Sequence, residues 1–271
     1  MKQLAGRVAV ITGGASGIGL ATASLLAERG CRLALVDVNA EALGKAAEGL
    51  ARFGATVSTH AVDVADADQM AALPAAIVAE HGAVHILVNN AGVSVGATFE
   101  EHSLADLQWI VGINLWGVIH GCKFFLPELK KQDEAHIVNL SSMFGFLGVP
   151  GQSSYCATKF AVRGLSEALW VELRDTSVGV TSIHPGGVDT NIAKTMRGED
   201  PDLRAASVDA LARSRGPEAV AKKIVRAIER DRLRAIVGIE AFVSEWLKRW
   251  MPVRTQYLLA GRMKNFAQRR D

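Results

Sequence analysis

The chain alternates short apolar runs of strand length with longer segments of helical periodicity, and this alternation constrains its fold more than any other feature. Several runs are apolar at successive positions, among them Arg7–Thr12, Arg32–Asp37 and Val84–Val88. Such strands are buried on both faces, which is typical of a parallel sheet covered by helices. The rhythm predicts an α/β fold with one doubly wound parallel sheet, in strand order 3-2-1-4-5-6-7, and a ligand at the switch between strands 1 and 4.

Residues 1–239 are predicted to form one domain, and residues 240–271 a helical extension. The predicted strands are Arg7–Thr12, Arg32–Asp37, Thr56–Val62, Val84–Val88, Ala135–Leu140, Val178–His184 and Ala235–Val237. The predicted helices are Ile18–Arg29, Ala40–Phe53, Asp66–His81, Ser103–Lys131, Ser153–Asp175 and Pro217–Asp231. The irregular stretch Asn191–Arg215 is a candidate lid.

Composition excludes several classes of protein. With 30 basic and 28 acidic residues among 271, the net charge of +2 gives no case for nucleic-acid binding. The three cysteines form no CxxC pair and no zinc-spaced cluster, so we expect no metal and a reducing, cytoplasmic environment. No apolar run approaches ~20 residues, which predicts that no helix spans a membrane.

A glycine-rich loop follows the first strand directly. Thr12–Gly19 reads TGGASGIG, and Gly13, Gly17 and Gly19 are spaced to let backbone approach a pyrophosphate at a helix N-terminus. Taken alone, such a loop can also be an ordinary turn that binds no phosphate. Ser16 is interpreted first as a helix cap and second as a phosphate contact.

Acidic residues follow the second and third strands. Asp37 lies 18 residues after Gly19, where a carboxylate accepts both adenosine ribose hydroxyls and repels a 2′-phosphate, so NAD is favoured over NADP. A turn-forming Asp before Asn39 is the alternative. Asp63 and Val64 are candidates for holding adenine, although a helix cap near Asp66 explains Asp63 almost as well.

Tyr155 and Lys159 are four residues apart and share one helix face. A nearby ammonium lowers the pKa of a phenol, and such a pair can exchange protons with an alcohol or carbonyl oxygen. On spacing alone a surface helix face is the simpler interpretation. The pair opens a long helix after a buried strand, however, and therefore at the ligand-binding edge of the sheet.

Two further positions complete a candidate site. A hydroxyl of Ser141 or Ser142, at the end of strand five, can bond a substrate oxygen, or can simply terminate the strand. Asn114 is a poor helix former inside a predicted helix, so a side chain or water is expected to interrupt that helix there.

Together these segments resemble the short-chain dehydrogenase/reductase family, over roughly Ala5 to Gly238. The resemblance rests on six motifs in order: TGGASGIG at Thr12–Gly19, NNAG at Asn89–Gly92, Asn114 in INLWG, NLSS ending at Ser142, YCATK at Tyr155–Lys159, and PGGVDT at Pro185–Thr190. It implies a Rossmann-type single domain and hydride transfer with a nicotinamide cofactor.

The resemblance also implies roles. Tyr155 resembles the general acid/base, Lys159 the residue that lowers its pKa and holds the nicotinamide ribose, Ser142 the oxygen-positioning hydroxyl, and Asn114 the residue that holds a relay water. The residues expected to bind the cofactor are Gly13, Ser16, Gly17, Ile18, Gly19, Asp37, Asp63, Val64, Asn90, Ala91, Gly92, Tyr155, Lys159, Pro185, Gly186, Val188 and Thr190. The expected reaction moves a hydride between NAD(H) and an alcohol, ketone or aldehyde.

Two other functions compete with this one. A sensor that binds the dinucleotide without chemistry would not need Asn114, Ser142, Tyr155 and Lys159 together. A lyase or isomerase of the same fold would usually alter the Tyr/Lys pair or the glycine loop.

The substrate is expected to be apolar. Its contacts should come from Val93–Thr98, from Phe144–Gln152 and from Asn191–Arg215. Phe144, Phe146, Leu147 and Val149 are predicted to form an apolar wall that Met196 closes.

The extension is amphipathic and basic. Phe242, Trp246 and Trp250 recur every four residues before Pro252, and a second helix is predicted over Thr255–Arg269. Seven basic against three acidic residues from Glu240 to Asp271 give a net charge of +4. We expect the aromatic side to pack on the pocket or on another subunit; peripheral attachment to an anionic membrane is the alternative. The two longest helices resemble family interfaces, which implies a homodimer or homotetramer.

Overall fold

Seven parallel strands form one sheet in the order β3-β2-β1-β4-β5-β6-β7, which confirms the predicted topology. The structure is a computed structural model and describes residues 1–198, 205, 208–209 and 211–267, with backbone alone for 261–267. The strands are β1 (Val8–Thr12), β2 (Arg32–Asp37), β3 (Val57–Ala61), β4 (Ile86–Asn89), β5 (Ala135–Leu140), β6 (Val178–Pro185) and β7 (Arg234–Val237).

Helices cover both faces of the sheet. They are α1 (Gly17–Glu28), α2 (Ala40–Leu50), α3 (Ala67–His81), α4 (Leu104–Val111), α5 (Gly117–Leu129), α6 (Ser153–Glu172), α7 (Pro217–Glu229), α8 (Ile239–Trp250) and α9 (Arg254–Ala267). Successive side chains of β1 enter opposite cores: Ala9 and Ile11 pack under α1, α2 and α7, and Val8 and Val10 under α3, α5 and α6. This alternation is the physical reason for the continuous apolar pattern of the strands.

The helix predicted over Ser103–Lys131 is interrupted. The Ser103 hydroxyl caps α4 by accepting a hydrogen bond from the Asp106 amide, but a π-helical turn at Gly112–Trp116 separates α4 from α5. Such turns are frequent at functional sites. Counted as one helix, α4, the π turn and α5 form the segment Leu104–Leu129, which has the length and apolar composition needed to cross a membrane. Here it packs against the sheet through fully buried Phe125 and Leu129.

Candidate active site

The glycine loop connects β1 to α1 at the carboxyl edge of the sheet. Gly13 and Gly17 have φ of 62° and 52°, a region that favours glycine. A Cβ on Gly19 would lie 2.1 Å from the Gly13 carbonyl oxygen, so α1 approaches the loop more closely than any side chain allows. Ser16 lies at the N-cap position, but its side chain makes no capping bond. Ile18 follows in the first turn. The loop therefore leaves backbone space for a phosphate at the start of α1.

Residues after β4 hold this loop in place. The Thr12 hydroxyl accepts hydrogen bonds from the amides of Asn90 and Ala91 at 3.0 and 3.1 Å. The Asn90 side-chain amide donates to the carbonyls of Thr12 and Gly13. Asn90 thus fixes the loop through its side chain, a role that its place in a motif did not reveal.

The carboxylate of Asp37 reaches the same loop. It accepts a hydrogen bond from the Ala15 amide at 3.3 Å and another from the Asn39 amide at 3.2 Å. The second bond is the local turn that the sequence left as an alternative, and the first aims the carboxylate at the glycine loop. Asp37 therefore lies beside the glycine loop, and its contact with an adenosine ribose stays a prediction.

Asp63 and Val64 are engaged locally. The Asp63 carboxylate accepts a hydrogen bond from the Ala65 amide at 2.9 Å, while the cap of α3 is Asp66. Val64 is buried close to Gly117, where a Cβ would lie 2.7 Å from a Val64 methyl. Their contact with adenine stays a prediction.

The loop after β6 approaches the glycine loop from the other side. Pro185 ends β6, Val188 is buried, and the Thr190 methyl would lie 3.4 Å from a Cβ on Gly17. The Gly186 amide donates to the Val237 carbonyl of β7. Two motifs more than 160 residues apart in sequence therefore enclose one cleft.

Tyr155 lies in the first turn of α6, and the Ser142 side chain lies near enough to its phenol to act on the pKa of that group. Ser142 also accepts a hydrogen bond from the Phe144 amide at 3.1 Å. The neighbouring Ser141 hydroxyl instead donates to the Lys159 carbonyl at 2.9 Å and is buried. The structure thus brings Ser142, and not Ser141, to the phenol.

Lys159 is buried next to this pair but does not bind the phenol. Its ammonium donates to the Leu140 carbonyl at 2.9 Å and lies 5.5 Å from the centroid of the Tyr155 ring. Burial lowers the pKa of Lys159 to about 8. Burial also raises the pKa of Tyr155 to about 12, although the nearby Ser142 side chain acts in the opposite direction. Lys159 is not among the groups that shift the Tyr155 pKa in this arrangement, so its expected effect on the phenol stays a prediction.

Asn114 lies in the π turn and is fully buried. Its carboxamide oxygen accepts from the Val93 amide, and its nitrogen donates to the Val93 carbonyl, both at 2.8 Å. A Cβ on Gly92 would lie 3.4 Å from that oxygen and 3.6 Å from the Lys159 ammonium. The expected interruption of the helix is therefore present, and it places Asn114 next to Gly92, which also adjoins Lys159.

His184 is a site residue that the sequence reasoning missed. Its Nδ1 lies 3.0 Å from the Ser142 carbonyl, its Nε2 lies 2.8 Å from the Ser182 hydroxyl, and its ring stacks on Phe146. Burial lowers the pKa of His184 to about 3, so the ring is neutral and Nδ1–H donates to Ser142. The available signal was a His at the end of β6, directly before Pro185.

Three predicted substrate segments meet at Gln152, the residue directly before α6. The Ser94 hydroxyl donates to the Gln152 side-chain oxygen at 3.0 Å, and the Gln152 nitrogen lies 3.8 Å from the Met196 sulfur. The Arg197 backbone bonds to Ser94 and Gly96. Met196 and Arg197 of the candidate lid thus contact the other two segments, while 199–204, 206–207 and 210 of that lid lie outside the described residues.

The predicted apolar wall includes Phe144, which lies beside Tyr155. The Phe144 ring meets the Tyr155 ring edge-on at 6.1 Å, and Leu147 is buried nearby in sequence. Phe146 stacks on His184 at 4.2 Å, with the Arg163 guanidinium 5.0 Å from its ring centroid. Its place in the wall stays a prediction.

Comparison with known proteins agrees with this geometry. The profile described as short chain dehydrogenase matches residues 7–201. A Mycobacterium tuberculosis protein assigned as an oxidoreductase, SadH, is 40% identical over 271 residues and covers 98% of each chain. The chain belongs to the short-chain dehydrogenase/reductase family. It is accordingly an oxidoreductase.

Two further members of the short-chain dehydrogenase/reductase family resemble it. The 2,5-dichloro-2,5-cyclohexadiene-1,4-diol dehydrogenase LinX of Sphingobium indicum is 41% identical over 196 residues, covering 72% of this chain and 78% of LinX. A family member from Burkholderia phymatum, solved in complex with NAD, has 34% identity and a TM-score of 0.86, covering 92% of this chain and 95% of that one.

The residues present fit a nicotinamide dinucleotide cofactor. The glycine loop offers backbone without side chains at the start of α1, and Gly92 brings backbone next to Asn114 and Lys159. Among the described residues, no group of three or more His, Cys, Asp or Glu side chains is placed to hold a metal ion.

Proposed function

We propose that the enzyme transfers a hydride between NAD(H) and an apolar secondary alcohol, ketone or aldehyde, with Tyr155 as general acid/base. The observation that carries this proposal is the placement of Ser142 beside the Tyr155 phenol, whose ring centroid lies 5.5 Å from the buried Lys159 ammonium. A substrate oxygen between the two hydroxyls would meet one donor that positions it and one group that exchanges its proton.

Each residue would have a defined part in the reaction. Ser142 would hold the substrate oxygen, and Tyr155 would remove its proton during oxidation or return it during reduction. The Lys159 ammonium, which donates to Leu140, would turn to the nicotinamide ribose and favour the phenolate. Asn114 would hold a water beside Lys159. NAD, when bound, supplies or accepts the hydride.

NAD is preferred over NADP in this proposal because of Asp37. Its carboxylate, held by the Ala15 amide, would accept ribose hydroxyls and repel a 2′-phosphate. The loop Thr12–Gly19 contains no basic residue that would offset that repulsion.

The apolar substrate is supported by the residues of the predicted substrate segments. Phe144 and buried Leu147 and Met196 offer apolar contacts, and the Ser94–Gln152 pair is the polar element among them. A cyclic diol in the name of LinX is consistent with a secondary alcohol.

We also propose a cytoplasmic enzyme that forms a homodimer or homotetramer. Cys31, Cys122 and Cys156 are free thiols, which suits a reducing compartment. Trp116 and Phe160, at the π turn and in α6, are 50% and 41% exposed and are candidates for a subunit contact.

The decisive test is the variant Tyr155→Phe, which removes only the hydroxyl. Turnover of a panel of apolar alcohols and ketones should fall by at least about a hundredfold to ten-thousandfold, the usual size of acid–base catalysis. NADH binding, followed by fluorescence in parallel with NADPH, should be unchanged. Normal turnover in this variant would reject the assignment. NADH binding without turnover in the wild-type protein would favour the alternative, a dinucleotide sensor.

A further inference from the structure

Helix α8 turns its polar side to the protein and its apolar side outward. Glu240 and Glu245 form ion pairs with Arg215 and Arg234 of the main domain, and Ala241 between them is buried. The outward side carries Ile239, Phe242, Val243, Trp246 and Trp250, which are between 44% and 71% exposed. An amphipathic helix of a folded domain normally does the reverse.

Helix α9 continues this arrangement. The Thr255 hydroxyl is buried and donates to the Leu247 and Met251 carbonyls, which fixes α9 to α8. The Gln256 side chain donates to the Gly148 carbonyl at 2.7 Å, which fixes α9 to the loop after β5. Exposed apolar residues continue beyond α8. We call the whole set the tail face: Ile239, Phe242, Val243, Trp246, Trp250, Val253, Tyr257 and Leu258.

The charged side chains around the tail face that have no ion pair in the described part of the chain are basic. The two carboxylates of α8 are neutralised by their inward ion pairs. Arg249 and Arg254 are exposed and have no ion pair within the described part of the chain. Lys248 donates to the Pro252 carbonyl and to the Gln256 side chain, not to an acid. The sequence from Glu240 to Asp271 has a net charge of +4.

We propose that the tail face docks on the surface of a bilayer that contains anionic lipids. Helices that bind in this way carry Trp and other apolar residues on one side and basic residues beside them. Trp and Tyr favour the level of the lipid headgroups, where Trp246, Trp250 and Tyr257 would lie. A second copy of the chain fits less well, because a symmetric contact would bring the arginines of both copies together.

Co-sedimentation of the full-length protein with vesicles tests this proposal. One set of vesicles contains phosphatidylcholine alone, and the other contains equal parts of phosphatidylcholine and phosphatidylglycerol. The protein should sediment with the anionic vesicles and lose this binding at high salt. Trp246→Gln with Trp250→Gln, and separately Arg249→Glu with Arg254→Glu, should each weaken binding by at least roughly tenfold.

Two control variants match these changes. Lys222→Glu with Lys223→Glu, at exposed positions of α7, alters the net charge by the same amount, and Leu104→Gln removes another exposed apolar side chain. Both should bind vesicles like the wild type. Circular dichroism and NADH binding check that every variant is folded.

Three results would overturn the proposal. The first is a folded wild-type protein that stays in solution with anionic vesicles. The second is an equal loss of binding in the α7 variant, since net charge alone would then explain it. The third is a stable oligomer that ignores vesicles and dissociates in the Trp246→Gln, Trp250→Gln variant, which would assign the tail face to a second copy.

Discussion

The sequence predicts where the two ionisable groups of the site lie, but it does not predict their pKa values. The spacing of Tyr155 and Lys159 predicts a shared helix face, and both residues indeed lie in the first two turns of α6. The pKa of each, however, depends on burial, and that of Tyr155 also on Ser142, which follows β5. Burial and this neighbour come from the fold, so spacing alone does not define the pKa of either group.

The buried Lys159 should destabilise the folded protein at neutral pH. Its pKa is lowered from 10.5 to about 8, so between these values the unfolded chain binds more protons than the folded chain. The contribution of Lys159 to the free energy of unfolding therefore rises with pH from 8 to 10.5, by up to about 3 kcal/mol. Below pH 8 the full cost of the buried charge is present.

Lys159→Met should remove that cost. We expect the variant to be more stable than the wild type at pH 7, by less than that limit because the Leu140 carbonyl loses its donor. The gain should shrink as pH approaches 10.5. Urea unfolding at several pH values measures it, with exposed Lys222→Met as the control. A gain that is constant between pH 7 and 10.5 would contradict the origin in a buried ammonium.

The sequence predicted the strands and helices better than the irregular turn inside one of the helices. The order of strands follows from apolar runs and turn residues, which are local signals. The π turn at Gly112–Trp116 depends on a pair of hydrogen bonds between Asn114 and Val93, 21 residues away, so the sequence could mark Asn114 as unusual but could not define the turn.

The approach of α1 to the glycine loop gives a sharp prediction for Gly19. A Cβ there would lie 2.1 Å from the Gly13 carbonyl oxygen, so Gly19→Ala must shift either α1 or the loop. NADH affinity should fall by at least roughly tenfold, since the backbone donors at the helix start would be displaced. Fluorescence titration measures it.

The matched control is Gly44→Ala in α2. Nothing lies within 4 Å of a Cβ at Gly44, so this change should keep NADH affinity and stabilise the helix by about 1 kcal/mol. Similar NADH affinities for the two variants would mean that the close approach of α1 is not needed for binding.

At the scale of the whole molecule, the C-terminal extension is tied to the site. The Glu240 carboxylate accepts a hydrogen bond from the Gly187 amide at 3.1 Å and pairs with Arg215, whose guanidinium also donates to the Gly187 carbonyl. The pattern of the tail predicted an amphipathic helix. Which side of α8 faces the protein depends on the ion pairs of Glu240 and Glu245 with Arg215 and Arg234. The sequence does not reveal that these arginines lie opposite the two glutamates.

Glu240→Ala should therefore weaken cofactor binding, although Glu240 lies outside the cofactor cleft. Without its carboxylate the loop Pro185–Thr190 loses the acceptor for the Gly187 amide, and the Arg215 guanidinium loses its partner. We expect NADH affinity to fall by roughly threefold to tenfold, the size of one lost hydrogen bond. Glu245→Ala is the matched control, because Glu245 anchors the same helix to Arg234 of β7 and does not contact that loop. Fluorescence titration of both variants decides the matter: equal NADH affinities would show that the first turn of α8 anchors the tail without ordering the cofactor loop.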